Sequence, residues 1–318
     1  MRACGEGLRV AIMTDESGWH TRQLQQALRA RGAEGRCLDL ADVRIDTTVA
    51  DHGLLLPGWG RALPDAVLVR GIAGGSFEQV TRRLGVLHAL AALGVPVYND
   101  ARAIERSVDK AMTSLLLHQA GIPTPACWAL ESPELAQRLV MRESAAGRAL
   151  VLKPLFGSQG KGLLRVGWVD GAHVPLPPLD GAYGQVAYLQ RLLPPPADRP
   201  GFDWRVLVVG GRARAAMRRQ GRGWIHNVAQ GARVRAQPLD AGEGPALARC
   251  AEAAAAALGL DYAGVDLMPA ESGPVVIEVN GVAAWQGLQR ACRVPVAPWL
   301  VDDLLQRRVG GRRGLRRA

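Results

Sequence analysis

The sequence predicts a mixed architecture, an α/β unit followed by α+β units, on three observations. The first third alternates short apolar runs with segments of helical spacing, the texture of a parallel sheet with both faces covered. Past residue 100 the texture changes to strand candidates joined by glycine-rich turns, as in antiparallel hairpins. The chain has 318 residues, too many for one ordinary core, so two or three packed units are expected.

The elements follow in order. Residues 8–13 (LRVAIM) read as a buried strand, and residues 17–31 as a helix through Leu24, Ala27 and Leu28, closed by Gly32. A strand is predicted at 66–69, a helix at 77–93 closed by Gly94, and a proline-edged strand at 95–98. No GxGxxG follows the first strand, so that dinucleotide signature is missing. One helix is expected over 107–120, ended by Gly121-Ile122-Pro123. Strands are expected at 149–153, 163–168 and 185–192, and a hairpin of 203–209 with 212–218 turns on Gly210-Gly211. An alanine-rich helix spans 241–258, and paired strands follow at 262–268 and 274–279.

Composition narrows the function classes. Hydrophobic residues make up 48% and charged residues 21%, as in a soluble globular protein, and no apolar run is long enough for a membrane span. The first ten residues lack the apolar centre of a secretory signal. Five scattered cysteines form no CxxC pair, which argues against zinc or a disulfide framework and for the cytoplasm. The net charge of +10 could suggest nucleic acid, but six of the arginines behind it crowd into residues 307–318, which read as a solvated, disordered tail. Aromatics are only 5% and no RNA-recognition motif occurs, so a nucleic-acid partner is poorly supported. Of 39 basic residues only Lys110, Lys153 and Lys161 are lysine. In so arginine-biased a chain each surviving lysine marks a place where a compact ammonium suits a single phosphate oxygen better than a planar fork.

Two constellations carry chemistry. Lys153-Pro154-Leu155-Phe156-Gly157-Ser158-Gln159-Gly160-Lys161-Gly162 places three glycines between two strands and a lysine at or near each end. Such a loop lets backbone amides approach phosphate oxygens; the alternative is a plain flexible hairpin. It is no Walker loop, because Gly162 stands where Ser or Thr is needed and no helix follows. In Val276-Ile277-Glu278-Val279-Asn280, Glu278 and Asn280 face one side of a strand and Ile277 and Val279 the apolar other. Asp266, on the preceding strand, is expected alongside Glu278. Two carboxylates and an amide oxygen form a hard all-oxygen set suited to Mg²⁺ or Mn²⁺; the alternative is a solvated hairpin face. His226 is the one histidine near these motifs and reads as an exposed strand residue.

Taken together, these motifs resemble the ATP-grasp superfamily and, within it, the RimK-like carboxylate–amine ligases. The resemblance covers residues 99–305. It rests on Asn99-Asp100, Ser107-Val108-Asp109-Lys110, Val151-Leu152-Lys153-Pro154 and Gln190, then Asp203-Trp204-Arg205-Val206, Asn227-Val228-Ala229-Gln230-Gly231, Gly264-Val265-Asp266-Leu267 and Glu278-Val279-Asn280. It implies an ATP-grasp fold with an N-terminal Rossmann-like pre-ATP-grasp domain (1–106), a lid subdomain with the glycine loop (107–186), and a C-terminal subdomain with the metal site (187–306). It assigns Lys110 and Lys153 to the ATP phosphates, with Gly157, Ser158, Gln159, Gly160, Lys161 and Gly162 closing over them. Gln190, Arg191, Leu192 and Leu193 would line the adenine pocket and Asp203 the nucleotide rim. Asp266, Glu278 and Asn280 would bind two Mg²⁺, and Arg205 and Asn227 would face the reacting phosphate and the substrate carboxylate. Two departures stand out: Arg191 replaces a hinge glutamate, and Gly281-Val282-Ala283-Ala284-Trp285 replaces a Pro-Gly turn.

The implied reaction joins an amine, expected to be glutamate, to a carboxylate through an acyl phosphate. The segments 278–282 and 285–289 look most like ligases that glutamylate a tetrahydromethanopterin-type cofactor, and an anionic acceptor would suit Arg205, Arg214, Arg218 and Arg219. Competing readings are a ligase acting on a protein C-terminus or a carrier protein, and a nucleotide-binding protein without chemistry. A homo-oligomer is compatible with all three.

Overall fold

The computed structural model describes residues 7–48, 51–157, 160–194, 201–221, 223–226 and 231–310. The first unit alternates as expected. Strand β1 (Arg9–Met13) leads through α1 (Trp19–Arg29) to β2 (Glu34–Leu38), and a small hairpin of β3 (Arg44–Ile45) and β4 (Leu54–Leu55) follows. Then come β5 (Ala66–Val69), α2 (Phe77–Ala92) and β6 (Val97–Tyr98). The sheet is parallel in the order β2-β1-β5-β6, the doubly wound arrangement. Helix α2 starts at a capping box, with the Ser76 hydroxyl accepting from the Gln79 amide and the Gln79 side chain accepting from the Ser76 amide.

The helix expected over 107–120 is instead two: α3 (Ala101–Val108) and α4 (Lys110–Gln119). Asp109 between them leaves helical geometry, with ψ of 105°, and its carboxylate accepts from the Ala111 and Met112 amides. An aspartate at an N-cap satisfies amides that a continuing helix would have bonded, so the break is local chemistry. It makes Lys110 the first residue of α4.

A five-stranded antiparallel sheet follows, built from β7 (Cys127–Leu130), β8 (Ala149–Lys153), β9 (Leu164–Val169), β10 (Ala172–Val174) and β11 (Ala187–Arg191) in the order β10-β9-β8-β11-β7. Helix α5 (Pro133–Ala145) covers one face through Ala136, Leu139 and Val140.

The third sheet contains β12 (Asp203–Val209), β13 (Arg212–Gln220), β14 (Arg233–Gln237), β15 (Tyr262–Ala270) and β16 (Gly273–Asn280), ordered β14-β13-β12-β15-β16. Gly210 and Gly211, at φ of 61° and 75°, supply the two left-handed residues that the tight β12–β13 turn requires. Helix α6 (Gly244–Leu258) packs Leu247, Ala251, Ala254, Ala255 and Leu258 on this sheet, starting at Gly244 rather than at 241, with Pro245 in the first turn where proline fits. Helices α7 (Gln286–Cys292) and α8 (Val296–Asp303) share one core with the first sheet and the other face of the third.

Asn99 joins the first and third sheets. It is fully buried; its Nδ2 donates to the Tyr262 and Gly281 carbonyls at 2.7 and 2.6 Å, and its Oδ1 accepts from the Asp261 and Tyr262 amides at 2.6 and 3.0 Å.

The disordered tail expected from 307 is corrected over its first four residues. Leu304–Gly310 forms a helical turn in which Val309 is buried and the Arg308 guanidinium binds both oxygens of buried Asp261 at 2.9 and 2.8 Å. A buried carboxylate that needs a partner orders the start of a segment whose composition alone reads as solvated. Residues 311–318 lie outside the described residues.

Candidate active site

A cavity of about 350 Å³ opens between the second and third sheets. One wall comes from β8, β9 and β11, the other from β12, β13, β15 and β16, with the start of α4 at one end. Apolar lining comes from Val151, Leu163, Leu192, Leu193, Met268 and Ile277, a flat greasy slot of the kind a planar base occupies.

The two lysines converge as expected. Lys153 ends β8 at 9% exposure, and its ammonium donates to the Gln190 Oε1 at 2.6 Å. Burial lowers its pKa to about 8, with Glu278 opposing in part. Lys110 donates to the Gly157 and Leu155 carbonyls at 2.7 and 3.4 Å, and burial lowers its pKa too, against the pull of Glu278 and Asp109. Both ammonium groups are thus desolvated and bonded to neutral oxygens, and neither forms an ion pair among the described residues. A buried cation without an anion is costly, and an arriving phosphate removes that cost. Gly157, Gly160 and Lys161 of the loop line the same cavity. Gly162 stands just behind at φ of 70°, where a Cβ would press within 2.9 Å of the Pro154 ring. Ser158 and Gln159 lie outside the described residues.

The acidic side lies on β15 and β16. Asp266 is paired in register with Glu278, and Gly264 with Asn280, as the hairpin reading expected. The face assignment of Ile277 is corrected. The register slips between Asp266 and Leu267, so Leu267 pairs with Val276, and Ile277 becomes the extra residue of a bulge. Val276 and Val279 go to the core, while Ile277 joins Glu278 in the cavity wall.

Asp266 is 2% exposed and fully engaged: Arg205 binds its two oxygens at 2.6 Å each, and Arg219 reaches it at 3.1 Å. Burial would raise its pKa, but the two guanidiniums outweigh burial and hold it below the usual carboxylate range. Arg219, 2% exposed, also binds both oxygens of Asp203 at 2.6 and 2.7 Å. Burial pushes Asp203 up, and Arg219 offsets this only in part. Glu278 holds no hydrogen bond among the described residues and faces the lysines across the cavity. Asn280 uses its Nδ2 on the Gly264 carbonyl at 3.4 Å, which leaves its Oδ1 available.

The Glu278 carboxylate and the Asn280 Oδ1 fit a hard divalent cation, whereas Asp266 could join them only by sharing its oxygens with Arg205 and Arg219. Such an oxygen set would leave the rest of the shell to water or phosphate, as Mg²⁺ prefers. His226 also borders the cavity. Expected as an exposed strand residue, it is 4% exposed, lies outside the strands and lines the cavity, and its Nε2 has no partner among the described residues. Burial lowers its pKa, and Arg219 adds to this. Asn227, beside it, lies outside the described residues.

Arg191 turns away from the cavity. Its backbone lines the hinge, but its guanidinium binds Glu143 of α5 at 2.9 Å and lies over Trp128, 5.7 Å from the ring centroid. Glu143 is 1% exposed and also holds Arg148, which together with Arg191 lowers its pKa to about 2. The side chain that replaces the hinge glutamate therefore anchors the hinge from behind.

Comparison with known proteins matches this arrangement. The model of the RimK-like ATP-grasp domain matches residues 107–304, and that of the RimK pre-ATP-grasp domain residues 8–104. The chain belongs to the RimK-like ATP-grasp family. Among the relatives of this RimK-like protein, the tetrahydromethanopterin:alpha-L-glutamate ligase of Methanosarcina acetivorans is 30% identical, over 92% of this chain and 97% of that one. A probable alpha-L-glutamate ligase of Xanthomonas campestris is 31% identical, over 94% and 99%. The ATP-grasp ligase PsnB, solved with a minimal precursor, Mg and ADP, superposes with a TM-score of 0.66 at 22% identity over 94% and 96% of the two chains. D-alanine–D-alanine ligase of Bacillus anthracis does so at 0.62 and 15% identity, over 97% and 99%. The ATP-grasp fold and its pre-ATP-grasp domain are as the sequence predicted. The relatives' names agree with the carboxylate–amine ligase reading.

The sequence marks Arg219 only as one of four arginines suited to an anionic acceptor, not as the residue that joins Asp203 to Asp266. A regular hairpin closed on Gly210-Gly211 would set Arg218 opposite Asp203; a register shift between Leu207 and Val208 brings Arg219 there instead.

Proposed function

We propose that this protein is an ATP-dependent carboxylate–amine ligase that adds L-glutamate to an anionic carboxylate acceptor, with a tetrahydromethanopterin-type cofactor as the leading acceptor class. The observation that carries the reading is the pair of buried lysines, Lys110 and Lys153, lacking carboxylate partners and facing Asp266 and Glu278 across one cavity. That polarity fits a polyphosphate held at one end by ammonium groups and at the other through a divalent cation.

In this assignment Lys110, Lys153 and the loop from Gly157 to Gly162 hold the phosphates, and the lining from Gln190 to Leu193 with Met268 and Ile277 holds the base. Asp266, Glu278 and Asn280 would hold Mg²⁺, or Mn²⁺, as one or two ions. Bound there, the metal would supply positive charge to neutralise the phosphate oxygens. The acceptor carboxylate attacks the γ-phosphorus and ADP leaves. The amine nitrogen then attacks the acyl carbon, phosphate leaves, and the amine proton passes to phosphate or solvent. In this reading Arg205 would hold negative charge on the acyl phosphate, with Asn227 as its expected companion. The protein supplies orientation and fixed positive charge and needs no nucleophile of its own. No helix among the described residues is long and apolar enough to cross a membrane, and the chemistry suits the cytoplasm.

The test is to incubate the protein with ATP, Mg²⁺, L-glutamate and single acceptors: a reduced pterin bearing a carboxylate side chain, a glutamate-terminated peptide, and no acceptor. ADP release that requires both glutamate and the pterin supports the proposal. Release that requires the peptide favours the protein-modifying alternative, and the absence of coupled release with tight ATP binding identifies a binding protein.

A further inference from the structure

In an open parallel sheet, ligands bind beyond the carboxyl ends of neighbouring strands whose connections depart in opposite directions. Here those strands are β1 and β5: the chain leaves β1 toward β2 on one side and leaves β5 toward β6 on the other. The Arg70 and Gly71 amides both donate to the Met13 carbonyl, at 2.8 and 3.0 Å, and a Cβ on Gly71 would collide with the Asp15 carboxylate. Arg70 therefore stands at the mouth of this crevice, on the last turn of backbone that the sheet holds.

The loop that replaces the Pro-Gly turn forms the opposite wall. Trp285 is 1% exposed, its backbone N–H donates to the His20 Nε2 at 3.2 Å, and the two rings meet edge-on at 4.6 Å. The Arg70 guanidinium lies over the indole at 5.3 Å, and its Nη1 reaches the Val282 carbonyl at 3.4 Å. Among the described residues its buried Nε has no partner and no carboxylate pairs with Arg70. This guanidinium is oriented by a ring and one carbonyl and lacks an anion there, whereas half-buried Arg205 and buried Arg219 each hold one.

The same loop touches the reaction centre. A Cβ on Gly264 would lie 2.8 Å from the Ala283 Cβ and 3.6 Å from the Arg205 Cδ, so Arg205 and the loop meet over the Gly264 backbone. A line of packed residues thus runs from Arg205, past buried Ala283 and half-buried Val282, to Arg70.

We propose that Arg70 binds a second carboxylate of the acceptor, remote from the one that is activated, and so selects acceptors that are polycarboxylates. The assignment rests on the ligase reading above and deepens it. A guanidinium fork takes a carboxylate through two parallel hydrogen bonds, and stacking on Trp285 fixes the plane in which the fork opens. Both substrates carry carboxylates; the crevice takes the acceptor's, because its wall is continuous with the residue placed at the activated carboxyl group.

The test is calorimetric titration of the full chain with α-L-glutamyl-L-glutamate, with N-acetyl-L-alanine as a probe bearing one carboxylate, and with L-glutamate. Each is titrated with and without a non-hydrolysable ATP analogue and Mg²⁺. The wild type is expected to bind the dipeptide at least about tenfold more tightly than the monocarboxylate. Arg70→Met should abolish that preference and Arg70→Lys should restore part of it. Analogue affinity and unfolding midpoint should stay within experimental scatter, which separates lost recognition from a loosened loop. Turnover should show a raised KM for the acceptor at little-changed kcat. An Arg70→Met protein that keeps the preference, or a wild type that shows none, overturns the proposal. A loss confined to L-glutamate would place the anchor on the amine substrate and overturn it as well. Failure of the analogue to bind would count against the ligase reading instead, and the titrations without nucleotide would still decide the role of Arg70.

Discussion

ATP binding should draw a proton out of solution at mildly alkaline pH, and Lys153 is the reason. Its ammonium is buried behind Gln190 with a pKa lowered to about 8, against an ordinary lysine value of 10.5. The sign follows from the direction of the shift. The unfolded chain keeps the proton between about pH 8 and 10.5 while the folded, unliganded chain loses it, so stability rises with pH through that window. Below it the buried charge costs the empty protein roughly 3 kcal/mol. A polyphosphate beside the ammonium removes that cost. At pH 8.5 a group with this pKa is roughly one-quarter protonated, so restoring its usual value takes up about 0.7 proton. ATP is fully ionised there, since phosphate second ionisations lie near 6, and contributes no proton of its own. Calorimetry of ATP·Mg²⁺ binding at pH 8.5 in buffers of different ionisation enthalpy measures this number directly. Lys153→Arg, which stays charged, should cut the uptake by more than half, the remainder coming from Lys110. The same variant should lose ligation at least about tenfold, a barrier change of roughly 1.4 kcal/mol, because the longer planar group overruns a slot closed by Gln190. Lys110→Arg should behave similarly and exposed Lys161→Arg more mildly. Uptake below about 0.2 proton in the wild type, or unchanged uptake in Lys153→Arg, would refute the reasoning.

Three further outcomes follow from the geometry. Asp266→Asn with Glu278→Gln should keep the fold and lose most of the ATP·Mg²⁺ thermal shift, which for the wild type at about 100 Kd of ligand corresponds to roughly 2.7 kcal/mol; an undiminished shift by scanning fluorimetry would remove these residues from the metal site. Truncation after Gly310 should leave turnover and unfolding midpoint intact. Arg308→Ala should cost about 1–3 kcal/mol in denaturant titrations by leaving buried Asp261 under-bonded, and an effect below 0.5 kcal/mol would show that Arg307 suffices as its partner.

Much of the site was legible because its residues are separated by strand and turn rules. The lysines, the glycine loop and the Asp266–Glu278 register each follow from alternation and turn chemistry, and the structure joins them in one cavity. What escaped needed information between elements. Ile277 reads as a core residue until a bulge opposite Asp266 shifts it, and a bulge has no fixed sequence mark at this position. Asp109 looks helical until its carboxylate caps two amides. His226 and Arg219 were undervalued because burial of a polar side chain depends on which sheet closes over it. Residues 307–310 are ordered by Asp261, whose own burial is set far away in sequence.

Asn99 has a mechanical consequence. Its four bonds reach the backbone of residues 261, 262 and 281, the Tyr262 hydroxyl donates to the Val69 carbonyl, and helices α7 and α8 fill a core shared by both units. These contacts tie the first and third sheets into one frame. An opening that admits nucleotide is then expected to move the second sheet, pivoting where the chain enters β7 and leaves β11. A dye pair bridging the first and third sheets should hold a constant separation through the catalytic cycle, while a pair bridging the second and third should trace the whole of it.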